Sequence, residues 1–213
     1  MITTLIGAAA ISAAGAIAAE WRGQEHRHRS FYLLKPLTTL LILALAALTK
    51  AHTPAEYRLW VMLALLFCAV GDICLMFKGE RWFLAGLLNF LIGHALFIAA
   101  FVQGLTQFSL PWWSLMWAAF ALPVAFVVLP RTATLKIPVL VYMSVIGAMV
   151  LAAFARHSAL ADRSALLALA GATLFMLSDS SLAIRQFIGP YAYAQPLILS
   201  TYWLAIGLIA FSV

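Results

Sequence analysis

Eight apolar runs of about twenty residues each divide the chain, and they constrain its fold more than any other feature. They cover residues 2–19, 32–49, 58–77, 82–103, 112–129, 135–155, 164–184 and 194–213. A helix needs ~20 mainly apolar residues to cross the hydrocarbon core of a bilayer. The links between the runs, at 20–30, 50–57, 78–81, 104–111, 130–134, 156–163 and 185–193, are too short to hold a soluble domain. The reading is an all-α polytopic membrane protein with eight transmembrane helices, one integral membrane domain over 1–213. Composition agrees: 65% of residues are apolar and 9% charged, against about 25% charged in soluble domains. That excludes a soluble enzyme and a disordered chain. The two cysteines, Cys68 and Cys74, share one apolar run and read as small apolar fillers. They exclude a disulfide scaffold, and no zinc-type spacing is present.

The net charge of +6 would suggest a nucleic-acid partner in a soluble chain. Here the basic residues sit between apolar runs, so topology explains them and no nucleic acid is expected. The first run has no basic segment ahead of it, and Arg22, Arg27 and Arg29 follow it. It reads as an uncleaved helix rather than a signal peptide. Links one, three, five and seven, with their helix edges, hold nine Lys or Arg: Arg22, Arg27, Arg29, Lys35, Lys78, Arg81, Arg131, Lys136 and Arg185. The other side holds four: Lys50, Arg58, Arg156 and Arg163. The inside-positive bias puts the nine-charge side in the cytoplasm and both termini outside it, in a bacterial inner membrane.

Of seven acidic residues, only Asp72 and Asp179 lie inside runs. A carboxylate at the bilayer centre costs about 2.5–3.5 kcal/mol on insertion scales, so such residues are paired or functional. Each stands five residues before the end of its run, ~7–8 Å inside the cytoplasmic edge. Lys35, Asn89, Tyr142, Tyr193 and Gln195 fall on other helices in the same layer. His94 lies ~18–20 Å from Arg81, beyond the midplane, and competes with a packed histidine. Asn89 and His94 are five residues apart, so they point ~140° apart around their helix. Gly86 and Gly93 read as close-packing positions. A structural ion pair with Lys35 or Lys136 competes with a functional role for the two aspartates. Snorkelling competes for Lys35, and interfacial anchoring for Tyr193.

The third and seventh runs echo one another. One ends Gly71-Asp72-Ile73-Cys74-Leu75-Met76-Phe77-Lys78, the other Ser178-Asp179-Ser180-Ser181-Leu182-Ala183-Ile184-Arg185. Leu66-Phe67 precedes the first and Leu174-Phe175 the second. Run two opens with Lys35-Pro36, and run six with Lys136 and Pro138. These matches suggest a four-plus-four parallel tandem repeat that brings Asp72 and Asp179 to face each other.

Lys35-Pro36, Gly71-Asp72 with Leu75, Gly86 and His94, Tyr142 with Ile146 and Met149, Gly171-Ala172 with Phe175 and Ser178-Asp179, and Tyr193-x-Gln195 with Leu197-Ile198 together resemble the marker positions of YhhN-like membrane proteins. That family includes the lysoplasmalogenases. The resemblance implies hydrolysis of the vinyl ether bond of a lysoplasmalogen, a lysophospholipid, to a fatty aldehyde and a glycerophospho-alcohol. The chemistry requires protonation of the vinyl ether and a carboxylate beside the resulting oxocarbenium ion. Two aspartates in one dry layer can divide into acid and ionised partner, as glycosidase pairs do. The more apolar neighbours of Asp72 favour it as the acid, with Asp179 as the partner. Lys35, Lys78, Arg81 and Arg185 are placed to meet the phosphate. Asn89, His94, Tyr142, Tyr193, Gln195 and Tyr202 are candidates to bind the rest of the substrate. No cofactor is implied, and one buried histidine with two aspartates on separate helices makes a poor closed metal site. The rival reading is a proton-coupled transporter or lipid scramblase using the same two aspartates.

Overall fold

A computed structural model describes residues 1–22, 29–50 and 52–213 of the chain. Arg27, one of the nine basic residues above, lies outside the described residues. Eight helices follow in order: α1 (Ile2–Arg22), α2 (Arg29–Leu48), α3 (Ala55–Cys74), α4 (Glu80–Val102), α5 (Leu115–Val128), α6 (Lys136–Leu160), α7 (Arg163–Phe187) and α8 (Ala194–Ala210). No strand occurs among the described residues. Seven spans are long and apolar enough to cross a membrane, while α8, with 17 residues, is shorter. The protein is an integral membrane protein. Its eighth helix is largely sheltered by α7, α1 and α2, so less of it needs to match the bilayer by itself.

The helix ends differ from the apolar runs where local backbone chemistry takes over. α3 stops at Cys74 because its last turn tightens. Met76 N–H bonds the Ile73 carbonyl at 3.1 Å and Phe77 N–H the Cys74 carbonyl at 3.2 Å. Gly79 then turns the chain at φ +114°, which favours glycine. α7 runs on to Phe187, where Gly189 at φ +141° caps it by bonding the Ile184 carbonyl at 3.2 Å, a six-to-one closure. At its other end, the Asp162 carboxylate accepts from Ala165 N–H at 2.7 Å and caps the first turn. The fifth span is composite. A 3-10 turn at Trp112–Ser114 leads into α5, and another at Leu129–Arg131 follows it. Pro123 lies inside α5 and Pro130 in the following turn.

Helix pairing is closest for α3 with α4 and for α7 with α8, followed by α1 with α2. α4 also packs on α6, α2 on α3, α6 on α7, and α8 on α1 and α2. Small residues set these distances, as expected where lipid and side chains are equally apolar. A Cβ built on Gly171 would stand 2.7 Å from the Ala205 carbonyl oxygen of α8. One built on Gly93 would stand 3.3 Å from the Ala64 carbonyl oxygen of α3. By contrast α5 is peripheral, packing on α6 and α7, with Phe126 82% exposed.

Candidate active site

Asp72, in the last turn of α3, is 1% exposed. Both its carboxylate oxygens are engaged. Lys35 Nζ of α2 lies 3.2 Å from Oδ1 and donates to the Asp72 backbone carbonyl at 3.3 Å. Thr39 Oγ1 donates to Oδ2 at 2.6 Å and the Tyr202 hydroxyl of α8 donates to the same oxygen at 2.9 Å. Trp203 Nε1 donates in turn to Thr39 Oγ1 at 3.3 Å. Lys35 and Thr39 are four residues apart, so α2 presents both on one face. Lysine and carboxylate are thus a buried pair whose remaining lone pairs are met by hydroxyls, the condition under which such a pair is tolerated away from water.

Asp179 has different company. The Tyr142 hydroxyl of α6 donates to its Oδ2. His94 Nε2 lies 3.8 Å from the same oxygen and is the one basic neighbour of Asp179 among the described residues. His94 is fully buried, edge-on to Phe175 at 4.5 Å and to Tyr142 at 5.4 Å between ring centroids. Neither of its ring nitrogens makes a hydrogen bond of ordinary geometry. Sequence depth placed His94 beyond the midplane, apart from the aspartates, yet it stands beside one of them. Part of the reason is that α7 continues to Phe187. Asp179 therefore sits eight residues, ~12 Å, from its helix end, and α4 meets it there. Asp72, two residues from the end of α3, does not share that distance.

Asp72 and Asp179 line one cavity of about 570 Å³. Lys35 and Tyr202 share its inner wall, and Lys78, Arg185 and Gln195 lie toward the links. Arg185 donates to the Gln195 side-chain oxygen. Phe77, Gly79, Leu135 and Pro190 also line the cavity. It thus opens at the end of the bundle formed by links three, five and seven, the end with nine basic residues. The interior behind it is aromatic: Tyr202 packs edge-on against Phe90 at 5.8 Å and Phe175 at 5.4 Å. A second cavity of about 230 Å³ lies among α4, α5, α6 and α7, and Asp179, Phe83 and Leu182 border both. Tyr142 faces the second cavity.

Some predicted residues are not brought to the cavities. Asn89 donates to the Ala85 carbonyl of its own helix at 2.8 Å. Arg81 lies exposed outside the lining. Tyr193 is 68% exposed, in a left-handed conformation (φ 62°) just before α8. His94 stands behind Asp179 rather than in the wall. Thr39 and Trp203 escaped the sequence reading. The four-residue spacing from Lys35 was the available signal for Thr39, whereas nothing local marks Trp203. Among the described residues no group of three or more His, Cys, Asp or Glu side chains gathers as for a metal ion.

The chain is 34% identical over 162 residues to "Lysoplasmalogenase TMEM86A" of Bos taurus, covering 75% of this chain and 66% of the relative. It is 34% identical over 165 residues to the Homo sapiens protein of the same name, covering 76% and 67%. It is 35% identical over 162 residues to a "Lysoplasmalogenase" of Mycobacterium bovis, covering 72% and 60%. The matches thus span about two thirds of the length of these relatives or less. No solved structure matches the chain. The YhhN family model matches residues 30–213, which include Lys35, both aspartates and every other residue of the two cavities, and the chain belongs to the YhhN family.

Proposed function

We propose that the protein is a lysoplasmalogenase: a hydrolase that cleaves the vinyl ether bond of a lysoplasmalogen within the membrane by two-aspartate acid and base catalysis. The observation that carries this reading is the pair of unlike carboxylates lining one cavity, under a basic mouth. The relatives' names support hydrolysis over the carrier alternative.

Lys35 supports one division of labour. Its ammonium balances Asp72, so Asp72 is the ionised partner, reversing the roles that sequence neighbours favoured. Asp179 has a tyrosine and a histidine beside it and no lysine or arginine within ion-pair distance among the described residues. It is the acid. Asp179 delivers its proton to the β-carbon of the vinyl ether, and the double bond becomes an oxocarbenium ion. The Asp72 carboxylate stabilises that cation across the cavity and steers a water to it. The water adds and gives its proton to the Asp72 carboxylate, leaving a hemiacetal, which collapses to an aldehyde and a free glycerol hydroxyl. One water is consumed, and the proton passes from Asp72 to Asp179 through solvent in the cavity, which restores both groups. Lys78, Arg185 and Gln195 receive the phosphate at the mouth.

The test is aldehyde release from a defined lysoplasmalogen by purified protein in detergent. Asp72→Asn and Asp179→Asn are each expected to lower turnover by ~10²–10⁴-fold, the usual worth of an acid or base. Undiminished turnover in either variant refutes the two-carboxylate mechanism.

A further inference from the structure

The second cavity has no role in the mechanism above. Its volume is about 230 Å³. Its walls come from Leu87 on α4, Ala121 and Ala125 on α5, Leu140 and Met143 on α6, and Met176 on α7. Two serines also border it, and Ser144 spends its hydroxyl on the Leu140 carbonyl of its own helix at 2.9 Å. The larger cavity has a lysine-bound carboxylate, a tyrosine and a cationic mouth. One space mixes charged and apolar side chains, the other is almost wholly apolar, and Asp179 stands where they meet.

We propose that the second cavity binds the hydrocarbon chain of the substrate, an unbranched aliphatic chain whose polar end lies in the larger cavity. This deepens the function proposed above and rests on it for the identity of the polar end. The argument is one of matched boundaries. A single-chain ether lipid changes from polar to apolar at the bond between its glycerol oxygen and its chain. Asp179, Phe83 and Leu182 border both spaces, and past Asp179 no charged side chain among the described residues lines the second one. A lipid that fills both spaces therefore sets its reactive bond at the Asp179 carboxyl. The outer wall fits the same reading. α5 packs mainly on α6 and α7, and Leu122, which lines the cavity, is 66% exposed on the lipid side. A chain reaches this space from the bilayer without crossing water. Ala121 and Ala125 supply the room, so side-chain size there sets the chain length accepted.

The experiment compares Ala125→Phe with Val127→Phe, a change on the same helix outside the cavity lining. Lysoplasmalogens with long and short chains, of about 16 and about 6 carbons, serve as substrates. Val127→Phe keeps the wild-type preference for the long chain. Ala125→Phe lowers the long-to-short ratio of kcat/KM by about tenfold, the equivalent of about two buried methylenes. An equal loss on both chains, or no loss on either, overturns the chain site. A second readout does not need turnover. An uncleavable lysophosphatidylcholine with a photoreactive group at its chain end should label the cavity-lining segments of α4, α5, α6 and α7 in the wild type and lose that labelling in Ala125→Phe. Labelling there without any aldehyde release leaves the chain site standing and removes the vinyl-ether function. Labelling confined to helices other than α4, α5, α6 and α7, or undiminished by Ala125→Phe, indicates a bystander lipid position and overturns the chain site.

Discussion

Lys35 and Asp72 are both buried, and each is the charge partner the other needs. Removing one member of such a pair strands a charge, at a cost of about 3–5 kcal/mol. Lys35→Met is therefore expected to lower thermal stability in detergent sharply. The double change Lys35→Met with Asp72→Asn should recover most of that loss, because two neutral side chains need no counter-charge. It should not recover turnover, which separates the structural role of the pair from its catalytic one. Tyr142→Phe makes the complementary test at Asp179, since it removes the one hydrogen bond to this carboxyl among the described residues. With stability nearly unchanged, turnover should fall by roughly tenfold to a hundredfold, the worth of a hydrogen bond to a group that carries charge during the reaction. An unaltered rate in Tyr142→Phe shows that the acid needs no orienting partner. The sequence made Asp72, Asp179 and Lys35 visible because charge inside an apolar run is conspicuous. It hid Thr39 and Trp203, since a threonine or a tryptophan in a membrane helix carries no such contrast.

At the scale of helices, two glycines separate packing from propensity. A methyl group on Gly171 meets the backbone of α8 at Ala205 and Ile209 Cγ1 at 2.6 Å. Backbone cannot swing aside, so Gly171→Ala must part α7 from α8, at about 1–3 kcal/mol. Gly147 has nothing within 4 Å of an added Cβ, so Gly147→Ala should be neutral or stabilising by up to ~1 kcal/mol. Melting of the two variants in one detergent checks the contrast, and equal melting temperatures defeat it. Gly171→Ala should also lose activity, because α7 carries Asp179 and α8 carries Tyr202. The existence and order of the helices were legible because length and hydropathy alone decide them. Their neighbours were not. In a bilayer the face turned to lipid is as apolar as the face turned to protein, so no amphipathic stripe marks which side packs. The packing pairs do recur: α3 on α4 as α7 on α8, α2 on α3 as α6 on α7, α4 on α6 as α8 on α2. A parallel four-plus-four arrangement would produce this recurrence. α1 and α5 break it, α1 lying close along α2 and α5 only loosely against α6. The proposed chain cavity lies at that loose contact.

For the molecule as a whole, the cavity gives the charge bias a consequence. The cavity opens beside Lys78 and Pro190 in links three and seven and Arg185 in the last turn of α7, on the side to which the sequence pattern assigns nine of the thirteen Lys and Arg residues. If the positive-inside bias orients the chain, the substrate phosphate is met at the cytoplasmic leaflet, and the glycerophospho-alcohol product is released to the cytoplasm. Single cysteines report on this directly, because Cys68 and Cys74 are both buried and give little background. Gln186 lies at the exposed edge of the cavity and Gln107 in the exposed link at the opposite end. In intact cells a membrane-impermeant maleimide should label Gln107→Cys and spare Gln186→Cys until the membrane is opened. The reverse pattern would place the mouth on the outer face. It would leave both cavities and both carboxylates as they are, but the lipid they receive would have to come from the outer leaflet.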